Sequence, residues 1–337
     1  MKAVVTAAIL LVLAGVFLIG GYVGSDQAIG NKPEWREMVH SPAEHNLCSE
    51  TVSLQSTDGI QLKAWWLPAQ LKEPGHCESG MSEPASQDAF PVVNVILAHG
   101  RDMNRSGMLP RAAFLIRHGY NVLDLDLRDH GESGGNYVTP GYLEAFDVMG
   151  GVARIRARGE RGPIVVLGYS YGAVAALHAA AQCSDIAAVV ADSAFISPDD
   201  ILMNVAHHKD IPLKYKIGVW MARIPLMDRS VDLVFRMRTG VKLDRQKSSA
   251  ITAVRRIHDQ AVLFVSGEQD WLAPPKNARL MYEATPSAHK DLLLVPGGHT
   301  TTYSGAPELY ETNVLAFLSQ YVSRQVMADT RCRAEED

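Results

Sequence analysis

Cysteine is scarce, with four in 337 residues (Cys48, Cys77, Cys183 and Cys332). That is too few for a fold stapled by disulfides, and no CxxC pair marks a zinc or thiol-redox site. No block of lysine and arginine stands out. With 32 Lys+Arg against 37 Asp+Glu the net charge is −5, which argues against a nucleic-acid binder. Neither GxGxxG nor the P-loop pattern GxxxxGKS/T occurs, so the glycine loops that cradle nucleotide phosphates are missing. No internal repeat is visible. His207-His208 has no third ligand at metal spacing, and neither a metal nor a cofactor is implied. Apolar residues make up 47% of the chain and charged residues 20%, enough for a sizeable core and too apolar for a disordered chain.

The long hydrophobic run lies at the N-terminus. Ala3 to Val23 contains no charge, with Lys2 before it and Asp26 the first charge after it. As a helix these residues measure about 31 Å, close to the hydrocarbon thickness of a bilayer. Two readings follow. One is an uncleaved single-pass anchor with the remaining chain on the trans side. The other is a secretory signal cleaved near Val23-Gly24-Ser25, which leaves a secreted or periplasmic protein. On either reading the compartment allows Cys48 and Cys77 to pair, a question the sequence leaves open.

Residues 26–48 are polar and read as a linker. Two strands follow, Glu50–Ser56 and Gln61–Leu67, joined at Asp58-Gly59, a hairpin signal. Residues 68–91 read as an exposed loop. From Val92 onward short apolar runs (Val92–Ala98, Asn121–Leu127, Ile164–Gly168, Ile186–Ala191, Val262–Ser266, Leu292–Val295) alternate with helical stretches (Met108–His118, Gly141–Ala157, Tyr171–Gln182, Pro307–Met327). That alternation predicts an α/β fold with a mostly parallel sheet flanked by helices. Residues 198–258 break the rhythm with helical spacing and many methionines, and read as a helical cap inserted into a core of 49–197 and 259–327. A charged tail occupies 328–337.

The sharpest motif is Gly168-Tyr169-Ser170-Tyr171-Gly172. It follows an apolar strand and opens an Ala-rich helix, the context that a nucleophile elbow requires. Glycines two before and two after the serine relieve a turn too tight for bulk. An elbow serine takes its acid and its base from later strands, in that order. Asp270, after the strand Val262–Ser266 and the turn at Gly267, is the expected acid, with Glu268 and Asp192 as competitors. His299, after Gly297-Gly298, is the expected base. His130 precedes the serine and is a poor candidate for that role.

Together with Ala98-His99-Gly100 and the stretch Asp126 to Gly135, these motifs resemble the α/β-hydrolase superfamily. More narrowly they resemble its serine aminopeptidase-like and membrane-anchored esterase or lysophospholipase-like branch, over about Val52 to Leu318. The resemblance implies backbone N–H groups of Arg101 and Tyr171 as oxyanion donors. It also implies a serine hydrolase acting on carboxylic esters, acylglycerols and lysophospholipids among them. The partners expected are a small-molecule or lipid ester substrate and a membrane held by the N-terminal helix, with no nucleic acid. A serine peptidase, and an idle membrane-tethered binding protein of the same fold, are the alternatives. Asp129 stands where such proteins usually carry glycine, so a different turn is expected there.

Overall fold

Asp58 and Gly59 turn the chain between β1 (Glu50–Gln55) and β2 (Gln61–Leu67), with Gly59 at φ 94° and the strands paired antiparallel. The structure is a computed structural model, which describes residues 15–22, 25, 33–69, 92–222, 224–242, 244, 246–322 and 332. β3 (Asn94–Ala98), β4 (Asn121–Leu125), β5 (Ile164–Tyr169), β6 (Ile186–Asp192), β7 (Ala261–Gly267) and β8 (Lys290–Val295) complete an eight-stranded sheet. Its order is β1-β2-β4-β3-β5-β6-β7-β8, and every pairing from β4 onward is parallel. Parallel strands buried on both faces cannot alternate polar and apolar residues, which is why these runs read as continuously hydrophobic. Along β3, Ile96 and Ala98 pack into one core layer, while Val95 and Leu97 pack into the other.

The first layer is built by α4 (Glu144–Ala157), α5 (Tyr171–Ala180), α9 (Ala250–Val254) and α10 (Pro275–Ala284). The second is built by α3 (Leu109–Arg117) and α11 (Pro307–Tyr321). Between β6 and β7 the chain forms α6 (Pro198–His207), α7 (Leu213–Ala222) and α8 (Pro225–Thr239) before α9. α9 itself packs into the core beside α5 and α10, through Ala250, Ala253 and Val254.

At the N-terminus residues 15–22 are helical (α1). Most of the expected Ala3–Val23 segment lies outside the described residues. Among the described residues no helix is long and apolar enough to cross a membrane. The stretch expected to be a polar linker contains α2 (Pro33–Arg36), whose Trp35 is 1% exposed and stacks on His130 with ring centroids 4.6 Å apart. Cys183, after α5, is disulfide-bonded to Cys332. Cys48 is also disulfide-bonded, to a partner outside the described residues.

Candidate active site

β5 ends at Tyr169 and α5 begins at Tyr171, so Ser170 alone makes the turn, at φ 52° and ψ −111°. Few non-glycine residues adopt that backbone, and it persists here because the surroundings leave no alternative. A Cβ at Gly168 would run into the Gly172 carbonyl, and one at Gly172 would run into the Ala98 carbonyl. The Ser170 N–H donates to the Asp192 carbonyl at 2.8 Å, tying the turn to the end of β6.

Ser170, Asp270 and His299 meet at the C-terminal ends of β5, β7 and β8. His299 Nε2 lies 2.9 Å from Ser170 Oγ, and His299 Nδ1 lies 2.8 Å from Asp270 Oδ2. A carboxylate can only accept, so Nδ1 carries the proton and Nε2 is free to accept from the serine hydroxyl. Asp270 is buried, and its Oδ1 accepts the N–H groups of Leu272 (2.9 Å) and Ala273 (2.8 Å), which fixes the carboxylate plane. Among the contacts that hold the loop bearing His299, Tyr169 donates its hydroxyl to the His299 carbonyl at 2.8 Å, and Gly297 N–H donates to Gln269 Oε1 at 2.7 Å. Neither was foreseen from sequence. The tyrosine inside the elbow pentapeptide was the available signal for the first.

The rival acids lie elsewhere. Glu268 is exposed. Asp192 ends β6, the strand between β5 and β7, and is buried among Arg111 Nη2 (2.7 Å), Thr302 Oγ1 (3.0 Å) and Tyr310 Oη (3.1 Å). It is part of a structural cluster.

The His99-Gly100-Arg101 turn abuts the elbow: a Cβ at Gly100 would lie 3.4 Å from Ser170 Cβ. His99 is fully buried, accepts from the Leu127 N–H at 3.1 Å and faces the Gly100 carbonyl at 2.7 Å through Nδ1. Burial holds its imidazole well below the ordinary value, so it is neutral and braces the turn. The Arg101 guanidinium lies over the rings of Trp35 (5.5 Å) and Tyr171 (5.8 Å). His130, between Trp35 and His99, is pushed down to about 4 by burial. Asp129 does take a left-handed turn, at φ 65°, and Arg36 Nη2 holds its carboxylate at 3.0 Å. Acidic residues tolerate that conformation better than most.

Among the described residues no group of His, Cys, Asp and Glu is arranged to hold a metal ion. An open groove of about 340 Å³ lies between α6 and α7, lined by Met203, Leu213, Ile217 and Trp220 among others. None of the three elbow-site residues lines it.

A serine strained at a strand-to-helix turn, on a sheet of this order, with its partners on the two loops that follow, places the chain among the α/β hydrolases. Residues 91–302 match the family described as Serine aminopeptidase, S33, and the chain belongs to that family. It is 27% identical over 299 residues to the Alpha/beta hydrolase domain-containing protein WAV2 of Arabidopsis thaliana, covering 86% of this chain and 85% of that one. It is 29% identical over 227 residues to the protein YqkD of Bacillus subtilis, covering 66% and 70% respectively. In structure it is similar to the esterase Pf2001 of Pyrococcus furiosus, with TM-score 0.65 and 22% identity, covering 87% of this chain and 98% of the other. The chain is thus a hydrolase-family member with an esterase among its structural neighbours.

Proposed function

We propose that the protein is a serine hydrolase that cleaves carboxylic esters through an acyl-enzyme on Ser170. The observation that carries this reading is the continuous hydrogen-bonded chain from Asp270 through His299 to Ser170, at 2.8 and 2.9 Å. His299 takes the hydroxyl proton as Ser170 Oγ attacks the ester carbonyl. Asp270 keeps the imidazole in the required tautomer and stabilises the imidazolium. The tetrahedral oxyanion is held by the backbone N–H groups of Arg101 and Tyr171, the second of which starts α5 and adds the helix's positive end. His299 returns the proton to the leaving alkoxide. Water, deprotonated by the same imidazole, then releases the acid.

Esters are favoured over aminoacyl amides by what flanks the elbow. The cation over Trp35 and Tyr171 is the Arg101 guanidinium, which already pairs with the nearby Asp102 carboxylate at 3.5 Å, an unfavourable setting for the free ammonium of an aminopeptidase substrate. Peptide cleavage is the second reading, supported by the family's description. We place the enzyme outside the cytoplasm, held at a membrane by the uncharged Ala3–Val23 segment, or released there by cleavage of that segment. Disulfides at Cys183–Cys332 and at Cys48 support an oxidising compartment. Acylglycerols and lysophospholipids are the substrate class that fits this placement.

The test is labelling by a fluorophosphonate, expected in the native enzyme and absent in Ser170→Ala. Equal labelling of the two would remove Ser170 from the mechanism. A series of esters of increasing chain length, set against aminoacyl amides, then separates the two readings.

A further inference from the structure

α1 is bound to the cap. It packs on α8: Gly20 faces Met227, Gly21 sits against the Ser230 carbonyl and Val234, and Arg238 lies over the Tyr22 ring at 4.3 Å and donates to Ser25 Oγ at 3.1 Å. The paired glycines make this approach possible, since a Cβ at Gly21 would lie 2.5 Å from the Ser230 oxygen. On another side of α8, Phe235 is buried against Tyr137.

The side of α8 that neither contact covers carries Leu226, Leu233 and Met237, at i, i+7 and i+11, all exposed. α1 adds Val16, Ile19 and Tyr22, also exposed. α7 adds Leu213, Ile217 and Trp220, at i, i+4 and i+7, which also line the open groove shared with α6, with Trp220 70% exposed. Scattered exposed apolar residues need no explanation, but three adjoining helices that each show an apolar stripe to solvent do. The charge here is one-sided. Residues 213–242 hold seven Lys and Arg against two Asp, in a chain of net charge −5. Arg229 and Arg236 are exposed beside the apolar stripe of α8.

We propose that this face of α1, α7 and α8 docks on a lipid bilayer bearing anionic headgroups, its apolar stripes among the acyl chains and its arginines among the phosphates. The chain outside the described residues supports this occupant. Gly20 lies beside Met227, near the start of α8 at Pro225. In sequence α1 is preceded by residues 3–14, which carry no charge. An amphipathic surface with basic residues on its rim binds bilayers through both apolar burial and headgroup attraction. The inference rests on the membrane placement proposed above and is independent of the Ser170 chemistry.

The experiment uses the full-length chain reconstituted with phosphatidylcholine vesicles containing phosphatidylglycerol, with and without bromine on the acyl chains, and reads tryptophan fluorescence. Trp35, Trp65 and Trp66 are buried, and Trp271, 39% exposed, is stacked on His208, so Trp220 is the main reporter. Brominated lipid is expected to quench the emission, and Trp220→Phe to lose most of that quenching. The pair Leu226→Asp, Leu233→Asp is expected to lose it too, while hydrolysing a short soluble ester at the native rate. Ser170→Ala is expected to be quenched like the native enzyme. Protein that sediments with the vesicles unquenched would overturn docking of the cap and leave the tether standing. Protein that does not sediment would overturn both. Equal quenching in vesicles of phosphatidylcholine alone would overturn the role of anionic headgroups.

Discussion

The Tyr169 hydroxyl donates to the His299 carbonyl oxygen, so the residue just before Ser170 fastens the loop that carries His299. Burial raises the Tyr169 phenol above its ordinary value, which keeps it a donor at any working pH. Tyr169→Phe should leave the fold intact and lower kcat by about tenfold, the effect of one lost hydrogen bond on the base's position. KM should move little. Steady-state kinetics on a soluble ester would show this, and an unchanged kcat would mean the loop holds itself.

The two buried aspartates beside the elbow should respond in opposite ways. Asp270→Asn should keep the melting temperature and lower kcat by up to about 10⁴, because the imidazole loses its tautomer. Asp192→Asn should keep most of kcat and lower stability by roughly 3 kcal/mol, because it leaves Arg111 buried without its carboxylate. Thermal unfolding and kinetics on both variants decide it. The reverse pattern would move the acid to the end of β6.

Trp35→Ala should destabilise the enzyme by about 3 kcal/mol, typical of deleting a buried aromatic. It should also slow ester hydrolysis, since Arg101 loses one of its two stacked rings. Truncation gives the same contrast. Removing residues 1–25 leaves Trp35 in place and should preserve activity on soluble esters, whereas removing residues 1–40 should not. Equal activity of the two truncated forms would show that Trp35 is dispensable.

His130 makes stability depend on acid. Burial lowers it from 6.5 to about 4 in the folded protein, so between those values only the unfolded chain binds the proton. Its contribution is complete above pH 6.5 and is lost as the pH falls towards 4, a change of roughly 3 kcal/mol. His130→Phe keeps a ring against Trp35 and removes the titration. Denaturant midpoints measured from pH 4 to 7 should therefore fall more steeply for the native enzyme than for the variant. His178, also lowered to about 4, titrates in both and cancels in the comparison.

The sheet was legible because its strands are short apolar runs between punctuating glycines. Ser170, Asp270 and His299 were legible because each follows such a run at the distance a tight turn needs. What escaped has physical reasons. α10 is a polar helix whose buried side shows only Ala278 and Met281 as apolar residues, too sparse a period to read. Trp35 is one aromatic among polar neighbours, and its burial against His130 depends on contacts about 95 residues away. Asp192 ends the buried strand β6 and Asp270 lies three residues past the buried strand β7, and their surroundings tell them apart: Arg111 and Tyr310 for one, His299 for the other. The pairing of Cys183 with Cys332 spans 149 residues, beyond any spacing rule.

That cross-link makes the molecule tolerant of a broken backbone. A single cut between α7 and α8 would leave one fragment with Ser170 and Cys183 and another with Asp270, His299 and Cys332. The two fragments would remain one covalent particle, migrating as a single band until a reductant separates them. A molecule nicked by proteases between α7 and α8 would thus keep Ser170, Asp270 and His299 joined.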